Sequence, residues 1–371
     1  MDTTALTQRI AFSMLRGMTP THGRRILDRV GSVERFFELS QAELWQQMGT
    51  ASQVLTDAER RRVLALAANE AKYMADNGIR GAFIDDGDYP TRLSQCNDAP
   101  LMLYTLGEAS AIDKSHMVAV VGTRNATTYG ADFVRTLVND LARTLDNVVI
   151  VSGLAYGVDV LAHKAALSAG VPTVAVVAHG LSTVYPADHR DIARRMCTAG
   201  GAMVSEYHSS APVHKGNFLA RNRIVAGMCD AVIVVESDTR GGALSTARLA
   251  SAYDRQVCAV PGRVTDRYSR GCNALIYRNV ASAIRDAGDL IDLMGWSARP
   301  AEGEQQTLQF AELTPEMQVI ADHLRQHPEA TINEMVEALG IPYPSLSARV
   351  MEMEMEDILT ANPGGTYSLN I

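Results

Sequence analysis

No stretch of this sequence stays apolar for the roughly 18 to 20 residues that a bilayer-spanning helix requires, so no membrane association is expected. The opening residues, Met-Asp-Thr-Thr-Ala-Leu-Thr-Gln-Arg-Ile, hold no basic region followed by a long apolar run, and no secretory signal is expected. Cysteine is sparse: Cys96, Cys197, Cys229, Cys258 and Cys272 are scattered, with no CxxC pair. That scatter argues against zinc and against a disulfide framework, and it suits the reducing cytoplasm. Familiar catalytic signatures are missing too: there is no P-loop, no HExxH helix, and no Ser-His-Asp order with a nucleophile elbow. The dinucleotide fingerprint GxGxxG is also absent, which argues against an NAD-linked oxidoreductase. The expectation is a protein that is not an enzyme and has no metal and no cofactor. What is present is an ordinary globular mixture, 47% hydrophobic and 20% charged over 371 residues, enough for sizeable cores in two or three domains.

The net charge of −8 seems to speak against nucleic acid, but its distribution reverses that view. Residues 301–371 carry two basic and twelve acidic side chains, a net of −10, which leaves +2 for the first 300 residues. Within those, Pro212 to Arg270 holds nine Lys/Arg against five Asp/Glu, a net of +4.

Residues 1–75 read as a small helical domain, with apolar residues at helical spacing in Ile10, Phe12, Met14 and Leu15 and again in Val33, Phe36, Phe37 and Leu39. The run from Leu15 to Leu27 is similar to a helix-hairpin-helix, a device that can hold phosphate at a helix N-terminus. Residues 76–115 read as a turn-rich connector, with Leu101–Tyr104 as a candidate edge strand. From 116 to 296, short apolar runs alternate with helical stretches. The strands are Met117–Val121, Val148–Val151, Thr173–Val177, Ala202–Ser205, Ala231–Val235 and Val257–Val260; the helices are Tyr129–Thr144, Asp159–Ala169, Arg190–Thr198, Phe218–Met228 and Ala243–Tyr253. Such alternation predicts an α/β fold, a Rossmann-like parallel sheet with right-handed crossovers. A polar linker over 297–310 leads to residues 311–371, which read as a winged helix: helices at Pro315–Gln326, Ile332–Leu339 and Ser345–Ile358, then a wing turning at Asn362-Pro-Gly-Gly-Thr.

Five motifs follow predicted strands and so fall at one edge of the sheet, where α/β folds bind ligands. After the first strand, Gly122, Thr123 and Arg124 offer backbone amides and a guanidinium to a phosphate. The second, Val151-Ser-Gly-Leu-Ala-Tyr-Gly-Val-Asp-Val-Leu-Ala-His163, places Ser152 and Gly153 at the edge; Asp159 can cap the helix and pair with His163 one turn on, in a structural hydrogen bond rather than a metal site. The third gathers Lys215, Gly216, Asn217, Phe218, Arg221 and Arg223 within nine residues, with cations for phosphates and Phe218 for a base. The fourth sets Arg240, Gly241, Gly242 and Ser245 at a turn suited to an anion. The fifth, Ala259 to Ile276, is a Pro-Gly turn and a basic loop leading into a short helix. Together they predict a long, phosphate-friendly groove for single-stranded DNA rather than one tight mononucleotide socket.

In this order the motifs resemble the DprA/Smf family, the DNA-processing proteins of bacterial transformation, most densely over residues 118–280. Gly180-Leu-Ser-Thr-Val-Tyr-Pro186, Arg221-Asn-Arg-Ile-Val-Ala-Gly227 and Ser269-Arg-Gly-Cys-Asn-Ala-Leu-Ile276 also look like family signatures. The resemblance implies a cytoplasmic, homodimeric protein that binds and protects incoming single strands and loads a RecA-type recombinase in natural transformation (competence) and homologous recombination. It implies Arg124 and Lys215 on phosphates, Phe218 on a base, and amides around Gly122, Thr123, Gly153 and Gly241 lining the groove. The chain departs from the pattern at Leu219, where the family usually has Pro, at Arg240, where it has Ser, and at Lys164-Ala-Ala. Leu219 is expected to loosen the start of the helix that follows Lys215.

Two alternatives belong to other classes. A nucleotide N-glycosidic hydrolase of the lysine-decarboxylase-like type shares a similar sheet, but it needs a glutamate after its Pro-Gly-Gly turn, and Arg240 to Arg248 holds no carboxylate. A ligand-sensing transcription regulator would read duplex DNA with the third helix of the tail. That helix carries Glu352, Glu354, Glu356 and Asp357, which DNA phosphates repel, so the tail is assigned to protein contact or packing.

Overall fold

The apolar runs become the centre of a nine-stranded sheet, in a computed structural model that describes residues 3–297, 314–328, 330–355, 358–362 and 365–369. The chain packs as two units, Met1–Arg299 and Pro300–Ile371. The first begins with α1 (Thr3–Ser13), α2 (Pro20–Val30), α3 (Val33–Glu38), α4 (Gln41–Met48) and α5 (Asp57–Asp76). It continues through β1 (Ile79–Phe83), α6 (Thr91–Ser94), β2 (Met102–Gly107), β3 (His116–Val121), α7 (Thr128–Thr144), β4 (Val148–Ser152), α8 (Val158–Ser168) and β5 (Thr173–Val176). Then come α9 (Arg190–Thr198), β6 (Ala202–Ser205), α10 (Lys215–Met228), β7 (Ala231–Val234), α11 (Ala243–Ala252), β8 (Gln256–Ala259), α12 (Arg270–Tyr277), β9 (Ser282–Ala283) and α13 (Ala287–Met294).

The sheet order is β1-β2-β6-β5-β4-β3-β7-β8-β9. Neighbours from β6 through β9 are parallel, while β1–β2 and β2–β6 are antiparallel. Helices cover both faces, which is why a strand such as β4 is buried at every residue. In β3, Met117, Ala119 and Val121 join one core while Val118 and Val120 join the other, the period-two alternation of a strand between two layers. Successive crossovers carry β3, β4, β5 and β6 one way across the sheet; the chain then returns to lay β7 on the other side of β3. The strand order therefore reverses between β3 and β7, and the crevice beyond their carboxyl ends is where such sheets take ligands.

The sequence reading placed residues 1–75 in a domain of their own, but α1 to α5 share their core with the sheet. Ile10, Phe12 and Phe36 belong to the same buried cluster as Leu101, Tyr104 and Val174. Phe12 meets Phe36 edge to face at 5.1 Å. The N-terminus of α2 is closed by Thr19, whose hydroxyl accepts from His22 N at 3.2 Å, with Pro20 as first helical residue. The connector of the sequence reading supplies β1 and β2. The candidate edge strand is thus interior, flanked by β1 and β6, and β1 forms the edge. Helix α10 starts at Lys215, three residues before expectation, and runs unbroken through Leu219, which is 60% exposed; the loosened start is not seen.

The second unit contains α14 (Pro315–Gln326), β10 (Ala330–Thr331), α15 (Ile332–Leu339), α16 (Tyr343–Met355), β11 (Leu359–Asn362) and β12 (Thr366–Leu369). Its antiparallel sheet has the order β10-β12-β11, and Met317, Ile320, Met335, Leu346 and Met353 form its own core. On α16 the guanidinium of Arg349 is held by Glu316 at 2.9 Å and Glu352 at 2.6 Å, and Glu354 is exposed. Glu356 and Asp357 lie outside the described residues.

Candidate nucleic-acid interface

Beyond β3 the chain turns at Gly122 and is stitched to its neighbours by backbone. Thr123 N donates to Glu236 O at 2.7 Å, and Val158 N donates to Thr123 O at 3.1 Å. A side chain at Gly122 would collide with Val158, so the close approach of α8 needs glycine there. Buried Glu236 accepts from Thr127 N at 2.8 Å and from Thr127 Oγ1 at 2.5 Å, which fixes the start of α7. Arg124, between these anchors, is exposed and makes no ion pair among the described residues.

The turn after β4 is built on a buried cation. Arg221, 5% exposed, reaches from α10 under Gly153 and donates from Nη1 to Val176 O at the end of β5. A Cβ on Gly153 would overlap that guanidinium. Asp159 is buried, and burial pushes its carboxyl above the ordinary range, against the nearby charge of Arg221 and the neighbouring backbone of Ala155 and Gly153. Burial also lowers the pKa of Arg221, against the attraction of Asp159. The expected hydrogen bond between Asp159 and His163 is replaced by another. His163 Nδ1 lies 2.7 Å from Thr173 Oγ1, whose proton goes to Ile150 O, also at 2.7 Å. The imidazole is therefore the donor in that contact, and its Nε2 has no partner.

Burial lowers the pKa of His163 from 6.5 to about 3, so the folded state holds it neutral. The unfolded chain takes up a proton as pH falls below 6.5, and the fold does not until about 3. Stability is thus lost on acidification through that window, by about 1.4 kcal/mol per pH unit from this group. Denaturant titrations across the window are expected to show a slope shallower by that amount in His163→Gln; parallel curves for the two proteins would refute the assignment.

Helix α10 carries the third motif. His214 caps it, accepting from Gly216 N at 3.1 Å, and Lys215 is exposed at its first residue. Asn217 Nδ2 donates to Ala178 O at 3.3 Å. Phe218 is half-buried, with its ring 5.7 Å from Tyr185 in an edge-to-face contact. Beyond β7, Gly241 packs on Ser237, and α11 begins at Ala243 with no side chain capping its first amides. The same is true of α8, whose N-cap is Gly157. Backbone carbonyls take most of these first amides instead: Val158 N donates to Thr123 O and Val160 N to Ala155 O in α8, and Leu244 N donates to Gly241 O and Ser245 N to Gly242 O in α11.

These elements enclose a pocket of about 360 Å³ at the strand-order reversal. Of the residues expected there, Gly122, Thr123, Arg124, Phe218, Arg221, Gly241 and Gly242 line it. Gly153 lies beneath it, against Arg221. Lys215, Gly216 and Asn217 occupy the first turn of α10, and exposed Arg240 and half-buried Ser245 flank the α11 start, all outside the lining. Arg223 is turned away: its guanidinium is bidentate to Glu206, at 2.8 and 2.6 Å. Asn222, Asp159 and Thr246 also line the pocket and were not read as site residues. The i, i+4 spacing of Phe218 and Asn222 on a helix was the available signal for Asn222. Asp238 brings a second carboxylate, held below its ordinary pKa chiefly by the hydrogen bond from Arg267.

Residues 80–295 match the family described as DNA recombination-mediator protein A. The putative DNA processing protein DprA of Mycobacterium tuberculosis is 34% identical over 294 residues, covering 76% of this chain and 75% of that protein. The structure of DNA processing protein A from Streptococcus pneumoniae superposes with a TM-score of 0.65 at 30% identity, over 77% of this chain and 97% of the other. That of the Helicobacter pylori protein, solved for its mode of binding single-stranded DNA, gives 0.52 at 31% identity, over 58% and 95%.

Proposed function

The chain belongs to the DNA recombination-mediator protein A family, and from that membership we propose that its first unit binds single-stranded DNA across the pocket between β3 and β7. One observation carries the reading: Arg124, buried Arg221, the first turns of α8 and α11, and the ring of Phe218 converge on one crevice. The cations suit a phosphodiester backbone, and the ring suits a base. The H. pylori relative, described for single-strand binding, supports the same ligand. Lys215, exposed at the first turn of α10, extends the phosphate-binding surface.

We further propose, from the resemblance, that this protein protects incoming strands, loads a RecA-type recombinase in transformation, and is a homodimer in the cytoplasm. It acts as a binding protein and not as a hydrolase. The second unit, read as a winged helix, serves protein contact, because its third helix is acidic.

Anisotropy with a labelled single strand tests the ligand. Binding is expected to weaken with salt at a log–log slope near −0.7 per neutralised phosphate. Phe218→Ala is expected to lose about tenfold in affinity, as one stacked base is lost, with the slope unchanged. Absence of binding by the wild type at low salt, or release of free adenine from adenosine monophosphate, would overturn the proposal.

A further inference from the structure

Beside the first pocket lies a second hollow, of about 720 Å³, lined by Tyr129, Pro261, Gly262, Arg263, Asp266 and Ser269. We propose that it is a nucleobase site, and that it takes a further base of the strand held in the first pocket. The inference rests on the single-strand reading above.

Tyr129 is the second residue of α7, and 51% of it is exposed. Its ring is not loose, because the hydroxyl donates to Pro261 O at 2.8 Å. A tyrosine tethered at its tip offers a broad face for stacking at little further entropic cost. The loop opposite is held as well. Asn273 Nδ2 donates to Gly262 O at 2.9 Å, and Gly262 N donates to Asn273 Oδ1 at 3.2 Å. Arg263 is exposed and makes no ion pair among the described residues. Asp266 brings a carboxylate to the same hollow. A carboxylate repels a phosphate but accepts from the amino edge of a base, and a guanidinium donates to the carbonyl edge. A ring, a guanidinium and a carboxylate together thus describe a base more than a backbone.

No residue lines both hollows, but hydrogen bonds link the segments around them. Asn125, next to Arg124 in the first pocket, donates from Nδ2 to Tyr268 Oη at 3.3 Å. Tyr268 O in turn accepts from Ser237 N at 2.6 Å. Arg267 Nε reaches Asp238, a lining residue of the first pocket, at 2.7 Å. Arg124 lies within the six-residue loop between β3 and α7, and Tyr129 is in the first turn of α7 that follows it. On this proposal a strand leaving the first pocket past Arg124 reaches the ring of Tyr129, five residues further along the chain.

The test uses the full chain and oligothymidylates from about 3 to about 20 nucleotides, the range of single-strand site sizes. Tyr129→Ala is expected to bind the shortest strands as wild type does and to lose about tenfold on the longest. Arg263→Ala is expected to act in the same sense, and Tyr129→Phe to retain wild-type affinity, since it keeps the ring. A strand carrying 2-aminopurine at successive positions is expected to be quenched at one position by wild type and Tyr129→Phe and not by Tyr129→Ala. Wild-type affinity of Tyr129→Ala for long strands overturns this site alone. Wild type that binds no strand overturns it together with the reading of the first pocket, whereas Phe218→Ala separates the two sites by weakening short strands as well.

Discussion

Arg124→Glu combined with Lys215→Glu is expected to abolish single-strand binding at moderate salt, a loss of at least a hundredfold. Both side chains are exposed, and neither is engaged in an ion pair among the described residues, so their charges are free for a ligand. Their removal therefore leaves the fold intact. Each reversal takes away one phosphate contact and adds one repulsion. The alanine variants separate these effects: each is expected to lower the magnitude of the salt slope by about 0.7, one phosphate's worth for a single strand. The measurement is anisotropy over a salt series, with thermal unfolding as the control. An unchanged slope in Arg124→Ala would place the DNA elsewhere. By contrast, Arg223→Ala should cost stability rather than affinity, because its guanidinium already belongs to Glu206.

The second large effect is on the fold beneath the pocket. Arg221→Ala removes a buried cation and leaves Val176 O without its donor and Asp159 without its neighbouring positive charge. Breaking such an arrangement from one side costs roughly 3–5 kcal/mol. Gly153→Ala attacks the same contact from the other side, since the new methyl would occupy the place of the guanidinium, which is buried and bonded to Val176 O. The two changes are therefore expected to be strongly non-additive: Gly153→Ala is severe in the wild type and nearly neutral in Arg221→Ala, where the space is vacant. Urea unfolding of the four proteins measures this coupling. Simple additivity would show that Arg221 does not fill the site under Gly153.

Much of the sheet was legible because a strand buried on both faces must be apolar throughout. Runs such as Val148–Val151 and Ala231–Val235 then stand out between amphipathic helices. Strand β1 was not legible: Ile-Arg-Gly-Ala-Phe mixes a charge and a glycine into five residues, and only its pairing with Met102–Gly107 makes it a strand. The motifs do fall at one edge of the sheet, since glycine turns after buried strands mark it. Sequence could not say where each arginine goes. Arg221 and Arg223 stand two apart on one helix and so face different sides; one is buried under Gly153 and the other is locked to Glu206. The Asp159 and His163 spacing allowed a pair, but Thr173, on a different strand, is the better-placed partner. The share of the N-terminal helices in the sheet's core was hidden for a related reason: amphipathic spacing shows that a face is buried, not what buries it.

The antiparallel addition to the sheet has a consequence for synthesis. Strand β2 is placed by β6, with Tyr104 opposite Ser205 and Gly107 opposite Ala202. About a hundred residues separate these partners, so at roughly 5–20 residues per second a ribosome takes about 5–20 s to supply the second after the first. During that interval β1 can pair only with β2, and the side of β2 that later meets β6 stays open. The N-terminal helices, first to be made, are thus among the last to reach their final place, and the growing chain must keep the unpaired side of β2 from other partners until Ser205 has emerged.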